Sequence, residues 1–138
     1  METRVEETIK KHDIGMNCAQ AVACTYCDLF GVDEETMFRT TEAMGLGMGG
    51  MEGTCGAVSG ACAIIGLMNS SANLEHPDSK AATYKISKRL TSAFKEQNGS
   101  LICRELKGVD TGKVLRSCPD CIRDAAEMLE DILAENGK

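Results

Sequence analysis

Eight cysteines are the residues of this chain whose side chains could do chemistry. They are spread over 138 residues, at Cys18, Cys24, Cys27, Cys55, Cys62, Cys103, Cys118 and Cys121. In a reducing compartment, thiols in such numbers usually bind metals or take part in redox reactions, and seldom form structural disulfides. The cysteine content therefore predicts sulfur chemistry.

Cys118 and Cys121 form a CxxC motif at the predicted start of the last helix, with Pro119 in its first turn. We expect Cys118 at the N-cap, where unpaired N–H groups and the positive end of the helix dipole lower the pKa of a thiol. Such a thiol is a good nucleophile or metal ligand. A thioredoxin-like site would need a strand before the motif, and residues 109–116 offer only a turn-rich connection.

A structural zinc site is an alternative use of the same motif. Together with Cys24 and Cys27 it gives the outline C-x2-C…C-x2-C, which is typical of tetrahedral zinc. The first pair lies inside a predicted helix, however, whereas such pairs usually lie in turns. We therefore interpret four cysteines as small buried residues and keep them as secondary candidates. These are Cys24, Cys27, Cys62 and Cys121.

A glycine-rich loop occupies residues 45–56, where six of twelve residues are glycine. Its Gly45-x-Gly47-x-x-Gly50 spacing matches the dinucleotide fingerprint only formally, because it follows a predicted helix and that motif requires a strand. Exposed amides in such a loop could instead donate hydrogen bonds to a metal–sulfur centre. The candidate cofactor-binding residues are Gly49, Gly50, Gly53 and Gly56.

Helical periodicity extends over nearly the whole chain and predicts an all-α protein, a single domain of about six or seven helices over residues 1–138. Asn17, Asp33, Ser100 and a segment starting at Ser117 are the predicted helix starts. The predicted spans are 2–11, 17–30, 33–43, 55–68, 81–97, 100–108 and 117 onwards. The helix after the glycine loop contains Gly56, Gly60 and Ala63, so it can approach a neighbour closely and is predicted to be central.

Charge and composition exclude some functions. A formal charge of −6 and only five aromatic residues argue against nucleic-acid binding, which needs a basic surface and stacking platforms. The first ten residues are charged and amphipathic, which is typical of neither a signal peptide nor a membrane anchor. We therefore expect a cytoplasmic protein without membrane insertion.

Four ordered segments resemble the C-GCAxxG-C-C family of redox proteins, over almost the whole chain. Its central element reads Cys-Gly-Ala-x-x-Gly here. The segments are Asn17-Cys18-Ala19-Gln20, Cys55-Gly56-Ala57-Val58-Ser59-Gly60, Cys103-Arg104-Glu105-Leu106 and Cys118-Pro119.

The resemblance implies a helical domain whose working cysteines are Cys18, Cys55, Cys103 and Cys118. A similar domain occurs in split-Soret-type cytochromes, where such cysteines are associated with an iron–sulfur centre. This chain has no CxxCH sequence, so covalent haem is not implied.

Three hypotheses follow. The first is electron transfer or redox sensing through a two-iron two-sulfur (2Fe–2S) cluster held by these four cysteines. The second is a metal-free thiol–disulfide protein in which Cys118 is the attacking sulfur, and the third is a structural zinc domain. The first two imply an unidentified redox partner protein, and the small-residue face of the central helix leaves room for a symmetric dimer.

Overall fold

Seven α-helices and no β-strand make up the computed structural model, which describes all 138 residues. The all-α prediction is confirmed. The only β-type pairing is an isolated bridge between Thr54 and Ile102. The helices are α1 Val5–Asp13, α2 Cys18–Tyr26, α3 Glu34–Thr41, α4 Gly56–Asn69, α5 Lys80–Asn98, α6 Cys103–Lys107 and α7 Cys118–Glu135.

Several helix ends differ from the predicted ones. The second helix ends at Tyr26 and continues as a 3₁₀ segment, Cys27–Phe30, which Gly31 terminates in a left-handed conformation. Another 3₁₀ segment, Glu42–Met44, follows α3, and α1 begins at Val5. Such ends are set by local tightening of the last turn, which hydrophobic periodicity does not report.

The capping predictions for α6 and α7 need correction. Ser117 caps α7, since its Oγ accepts a hydrogen bond from the Asp120 N–H, and Cys118 is the first helical residue. Ile102 is the N-cap of α6, while the hydroxyl of Ser100, three residues before the helix, accepts from the Ile102 N–H. Cys103 and Cys118 therefore lie in the first turn of a helix, next to its unpaired amides.

The central contact of the fold is between α2 and α4, and two glycines permit it. A Cβ on Gly60 would lie 2.6 Å from the carbonyl O of Ala19, and one on Gly56 would lie 3.1 Å from the Cβ of Cys18. Because no side chain fits between the helices, their backbones touch and the starts of α2 and α4 lie together. The small-residue face that suggested a dimer thus packs against α2 of the same chain.

The apolar core lies around α4 and α7. Its fully buried side chains include Ile64, Ile65, Phe94, Ile122 and Leu129. The first helix packs on α7, and Glu130 joins these elements because its Oε2 accepts from the Arg4 N–H at 2.7 Å and from the Tyr26 hydroxyl at 2.6 Å. These contacts fix α7 relative to the N-terminal half of the chain.

The glycine loop turns through left-handed backbone at residues that disfavour it. Leu46, Met48 and Met51 have φ values of 54°, 62° and 65°. Left-handed conformations cost free energy at residues with a Cβ, so the surrounding contacts must hold this loop in place. Two of those contacts bind it to α6: the N–H of Cys103 donates to the Gly53 carbonyl and the N–H of Arg104 to the Met51 carbonyl.

None of the seven helices has both the length and the apolar character that a bilayer crossing requires.

Candidate functional site

Five of the eight cysteines line one cavity of about 150 Å³. Four of them are the cysteines predicted to work together, and the fifth is Cys121. The cavity is bounded by Cys18, Cys55, Cys103, Cys118 and Cys121, with His12, Asn17, Leu46, Gly56, Leu106, Lys107 and Arg116 completing the wall. The structure thus brings together side chains from all three thirds of the chain.

Each of the four predicted cysteines lies at the start of a helix. Cys18, Cys103 and Cys118 are first helical residues, and Cys55 is the N-cap of α4. The first amides of a helix have no intrahelical partner, and the helix dipole adds positive potential there. Four helix starts around one cavity make it a favourable place for thiolates.

Cys18 is positioned by a capping box at the start of α2. The Asn17 side chain accepts from the Gln20 N–H at 2.9 Å, and the Gln20 side chain accepts from the Asn17 N–H at 3.0 Å. The amide of Asn17 also donates to the Glu42 carbonyl at 2.9 Å. The cysteine is thus held by the helix start and by the segment that leads into the glycine loop.

Cys55 is fixed by its backbone and by the α2–α4 contact. Its N–H donates to the Leu101 carbonyl at 2.7 Å, which joins the start of α4 to the segment before α6. The nearby N–H groups of Ala57 and Val58 lower the pKa of its thiol. The Cys-Gly-Ala-x-x-Gly element therefore places a thiol beside the first amides of α4 and lets α4 reach α2.

Cys118 and Cys121 are held by an ion pair at the entry of α7. The guanidinium of Arg116 binds both carboxylate oxygens of Asp124, at 2.9 and 3.0 Å, and Asp124 is buried. Such a two-point pair fixes the orientation of both groups. The sulfur of Cys121 also lies 3.8 Å from the Arg116 carbonyl O.

Cys18 and Cys118 form the first of two thiol pairs. The Cys18 thiol donates a hydrogen bond to the sulfur of Cys118, which raises the pKa of Cys18 and lowers that of Cys118. Lys107 also donates to the Cys118 sulfur, and its charge lowers the same pKa further. Together these contacts bring the pKa of Cys118 to about 5. Cys118 is therefore the thiolate of the pair at neutral pH.

Cys55 and Cys121 form the second pair. The two side chains interact, which lowers the pKa of Cys55 and, together with burial, raises the pKa of Cys121. The amides of Ala57 and Val58 also favour the Cys55 thiolate. For Cys103, burial raises the pKa, and no thiol hydrogen-bonds to it.

No three histidine, cysteine, aspartate or glutamate side chains meet in an arrangement that could hold one metal ion. The thiols meet as pairs across the cavity. Five of the metal-binding side chains on this wall are nonetheless cysteine thiols, which suit soft metals. The other is the imidazole of His12. Four thiolates shared between two irons are the ligand set of a 2Fe–2S cluster, so the donor chemistry fits that group.

The other three cysteines lie away from this cavity. The thiol of Cys24 donates to the Glu34 carbonyl at 3.8 Å and that of Cys27 to the Cys24 carbonyl at 3.7 Å, beside a separate polar pocket. Burial raises the pKa of both, and of Cys62 in α4. The structure therefore does not bring the pair Cys24 and Cys27 to Cys118 and Cys121, as the zinc outline requires.

The candidate glycines differ in position. Gly56 is on the cavity wall, and Gly53 supports Cys103 through its carbonyl. Gly49 and Gly50 are exposed and do not line the cavity, because the left-handed turns direct this part of the loop outward. Gly47 packs directly on a cysteine, because a Cβ at this position would lie 2.5 Å from the Cβ of Cys103.

Three cationic or ionisable side chains of the wall were missed in the sequence: His12, Lys107 and Arg116. Lys107 has a detectable signal, since it follows Cys103 by four residues and so shares its helix face. His12 lies in the last turn of α1 and reaches the cavity only through the packing of α1 on α2 and α7. Nothing in its sequence surroundings indicates that position.

A family model described as "Putative redox-active protein (C_GCAxxG_C_C)" matches residues 16–132. No curated protein matches the chain, and no solved structure matches it. The match covers all five cavity cysteines, helices α2 to α6 and most of α7, so the chain belongs to this C_GCAxxG_C_C family.

Proposed function

We propose that the protein transfers or senses electrons through a 2Fe–2S cluster held by Cys18, Cys55, Cys103 and Cys118. One observation supports this most strongly: four cysteines from four separate helix starts line a single cavity. A thiol–disulfide reaction needs only two sulfurs, whereas a 2Fe–2S cluster uses four.

The surroundings of the four sulfurs suit a negatively charged centre. Four thiolates carry more negative charge than the positive charge of the core of two irons and two sulfides, so the whole centre is negative. Lys107 on the wall and the helix starts supply positive potential, and the Arg116 guanidinium lies beside them. When bound, such a cluster accepts and returns one electron.

The position of the cavity is compatible with an external electron partner. Cys18 and Cys118 are half-buried, whereas Cys55 and Cys103 are buried. The first two would therefore face an approaching redox protein, which we propose as the partner. The number of thiols on one cavity wall supports our proposal of a reducing, cytoplasmic location.

The test is the iron, sulfide and zinc content and the visible spectrum of protein purified without oxygen. We expect a brown protein with matched iron and sulfide. Cys55→Ser removes a ligand and should lose the iron, the colour and part of the thermal stability, because a bound centre stabilises only the folded state. Cys62→Ser is the matched control, since Cys62 lies in the same helix and off the cavity. Full iron in the Cys55 variant would refute the assignment.

A second candidate is a metal-free thiol–disulfide protein, and the Cys18–Cys118 pair favours it. A low-pKa, half-buried thiolate with a protonated thiol beside it is the arrangement of a nucleophilic and a resolving cysteine. Colourless protein that contains neither iron nor zinc, and in which these two sulfurs oxidise and reduce reversibly, would support this function over the first.

A further inference from the structure

Cys121 is a fifth thiol of the cavity, and neither the family motif nor the proposed ligand set includes it. It lies one helical turn after Cys118 in α7, and 2% of it is exposed. It is therefore enclosed with the other four sulfurs.

The five thiols have a definite pairing. All five line one cavity, where the side chains of Cys18 and Cys118 interact with each other and those of Cys121 and Cys55 do likewise. Cys103 shares the cavity without such a partner. The structure thus presents two neighbouring sulfur pairs, each of which joins α7 to another helix start.

Backbone contacts keep the second pair together. Cys55 is tied to Leu101 through its N–H, and Gly56 fixes the start of α4 against α2. The Arg116–Asp124 ion pair fixes the start of α7, where the N–H of Cys121 donates to the Ser117 carbonyl at 2.8 Å. Both sulfurs are therefore held at fixed helix starts on the wall of the same cavity of about 150 Å³.

We propose that Cys121 is a working thiol of this site, which forms a disulfide with Cys55 when a low-molecular-weight disulfide enters the cavity. The Cys55 sulfur attacks one sulfur of the reagent, the reagent's S–S bond breaks, and half of the reagent leaves as a thiol with the proton of Cys55. The Cys121 sulfur then attacks the Cys55 sulfur and releases the second half, which takes the proton of Cys121. The protein is oxidised by two electrons, and the reagent is reduced to two thiols.

A disulfide at Cys55 and a cluster ligated by Cys55 exclude each other. Oxidation of the pair would thus keep a metal-free site from binding iron, and bound iron would protect the pair from oxidation. This consequence rests on the proposed function, whereas the disulfide itself does not.

The test maps disulfides in the full-length protein. Protein purified without oxygen is assayed for iron and treated with 2-hydroxyethyl disulfide, both as purified and after iron removal with a chelator. Free thiols are then blocked with N-ethylmaleimide. Cleavage before aspartate separates Cys118 from Cys121, because Asp120 lies between them, and mass spectrometry identifies the linked fragments. Cys55 falls in fragment 33–77, which also contains Cys62.

We expect fragment 33–77 to be linked to fragment 120–123 in iron-free protein. Cys121→Ala should lose this linkage, and Cys62→Ala should retain it. If Cys55 is not joined to Cys121 after iron removal and oxidation, the inference is wrong, whatever else is linked. The absence of any link between these two fragments is read on the unmodified chain, so this refuting result does not depend on how the variants fold.

The iron assay separates this inference from the proposed function. Protein that contains no iron as purified but forms the linkage contradicts the cluster and supports the disulfide. Protein that contains iron but forms no linkage after iron removal supports the cluster and contradicts the disulfide.

Discussion

At the scale of single residues, the reactivity of Cys118 comes from its neighbours as much as from its helix. The CxxC position at the start of α7 already favours a thiolate. The structure adds the Cys18 thiol and the Lys107 ammonium, both of which donate to the same sulfur. Its low pKa is therefore a tertiary property, shared among α2, α6 and α7.

The pH dependence of Cys118 alkylation tests this. In metal-free protein the folded-state pKa lies below the ordinary value for a thiol, so the thiolate is present at neutral pH and is lost as the pH falls through about 5. The rate of reaction with iodoacetamide, followed by mass spectrometry of the Cys118 peptide, should fall in that range. Lys107→Gln removes one cause of the low pKa and should move the midpoint to higher pH.

Lys113→Gln is the control for this prediction, because Lys113 is exposed on the loop before α7 and does not line the cavity. We expect its midpoint to equal that of the unmodified protein. If Lys107→Gln also leaves the midpoint unchanged, Lys107 does not act on this sulfur.

At the scale of elements, the site depends on how closely α2 and α4 approach. Gly60 has no room for a methyl group, since the Ala19 backbone occupies that space, whereas nothing lies within 4 Å of the corresponding position at Gly66 in the same helix. Only one of these two helix glycines is therefore required by packing.

Gly60→Ala should lower the free energy of unfolding by about 1–3 kcal/mol, the usual cost of overpacking a close contact. Gly66→Ala should instead raise it by about 0.5–1 kcal/mol, because alanine favours a helix over glycine. Urea unfolding of both variants measures the difference. Equal effects would show that the α2–α4 contact is looser than the structure has it.

The sequence predicted the helices better than the place where their cysteines come together. Asn17 and the Ser-Cys-Pro segment are local signals of helix starts, and small residues in α4 indicated a close neighbour. That Cys18, Cys55, Cys103 and Cys118 belong together came only from the family resemblance, since their contacts join distant parts of the chain. The position of Cys121 depends on how α7 is rotated against its neighbours. The outward turn of Gly49 and Gly50 depends on left-handed backbone at residues other than glycine, which the sequence does not indicate.

At the scale of the whole molecule, Glu130 connects the N-terminal half to α7, which bears two of the cavity cysteines. Its carboxylate accepts from the Arg4 backbone and from the buried Tyr26 hydroxyl. Loss of this acceptor leaves the Tyr26 hydroxyl without its partner inside the protein, which is costly.

Glu130→Ala should therefore lower the free energy of unfolding by about 1–3 kcal/mol. Glu127→Ala, at an exposed position of the same helix, should change it by less than about 0.5 kcal/mol. Thermal or urea unfolding followed by circular dichroism measures both. Comparable losses in the two variants would mean that the Glu130 contacts contribute little to stability.

The distribution of the cavity cysteines along the chain has a consequence for biosynthesis. Cys18 is translated before Cys118 and Cys121, which lie in α7. A nascent chain without α7 lacks one partner of each sulfur pair and one wall of the cavity. The cavity can therefore be completed only after α7 has left the ribosome, so that any iron and sulfide proposed for it could be enclosed only after that step.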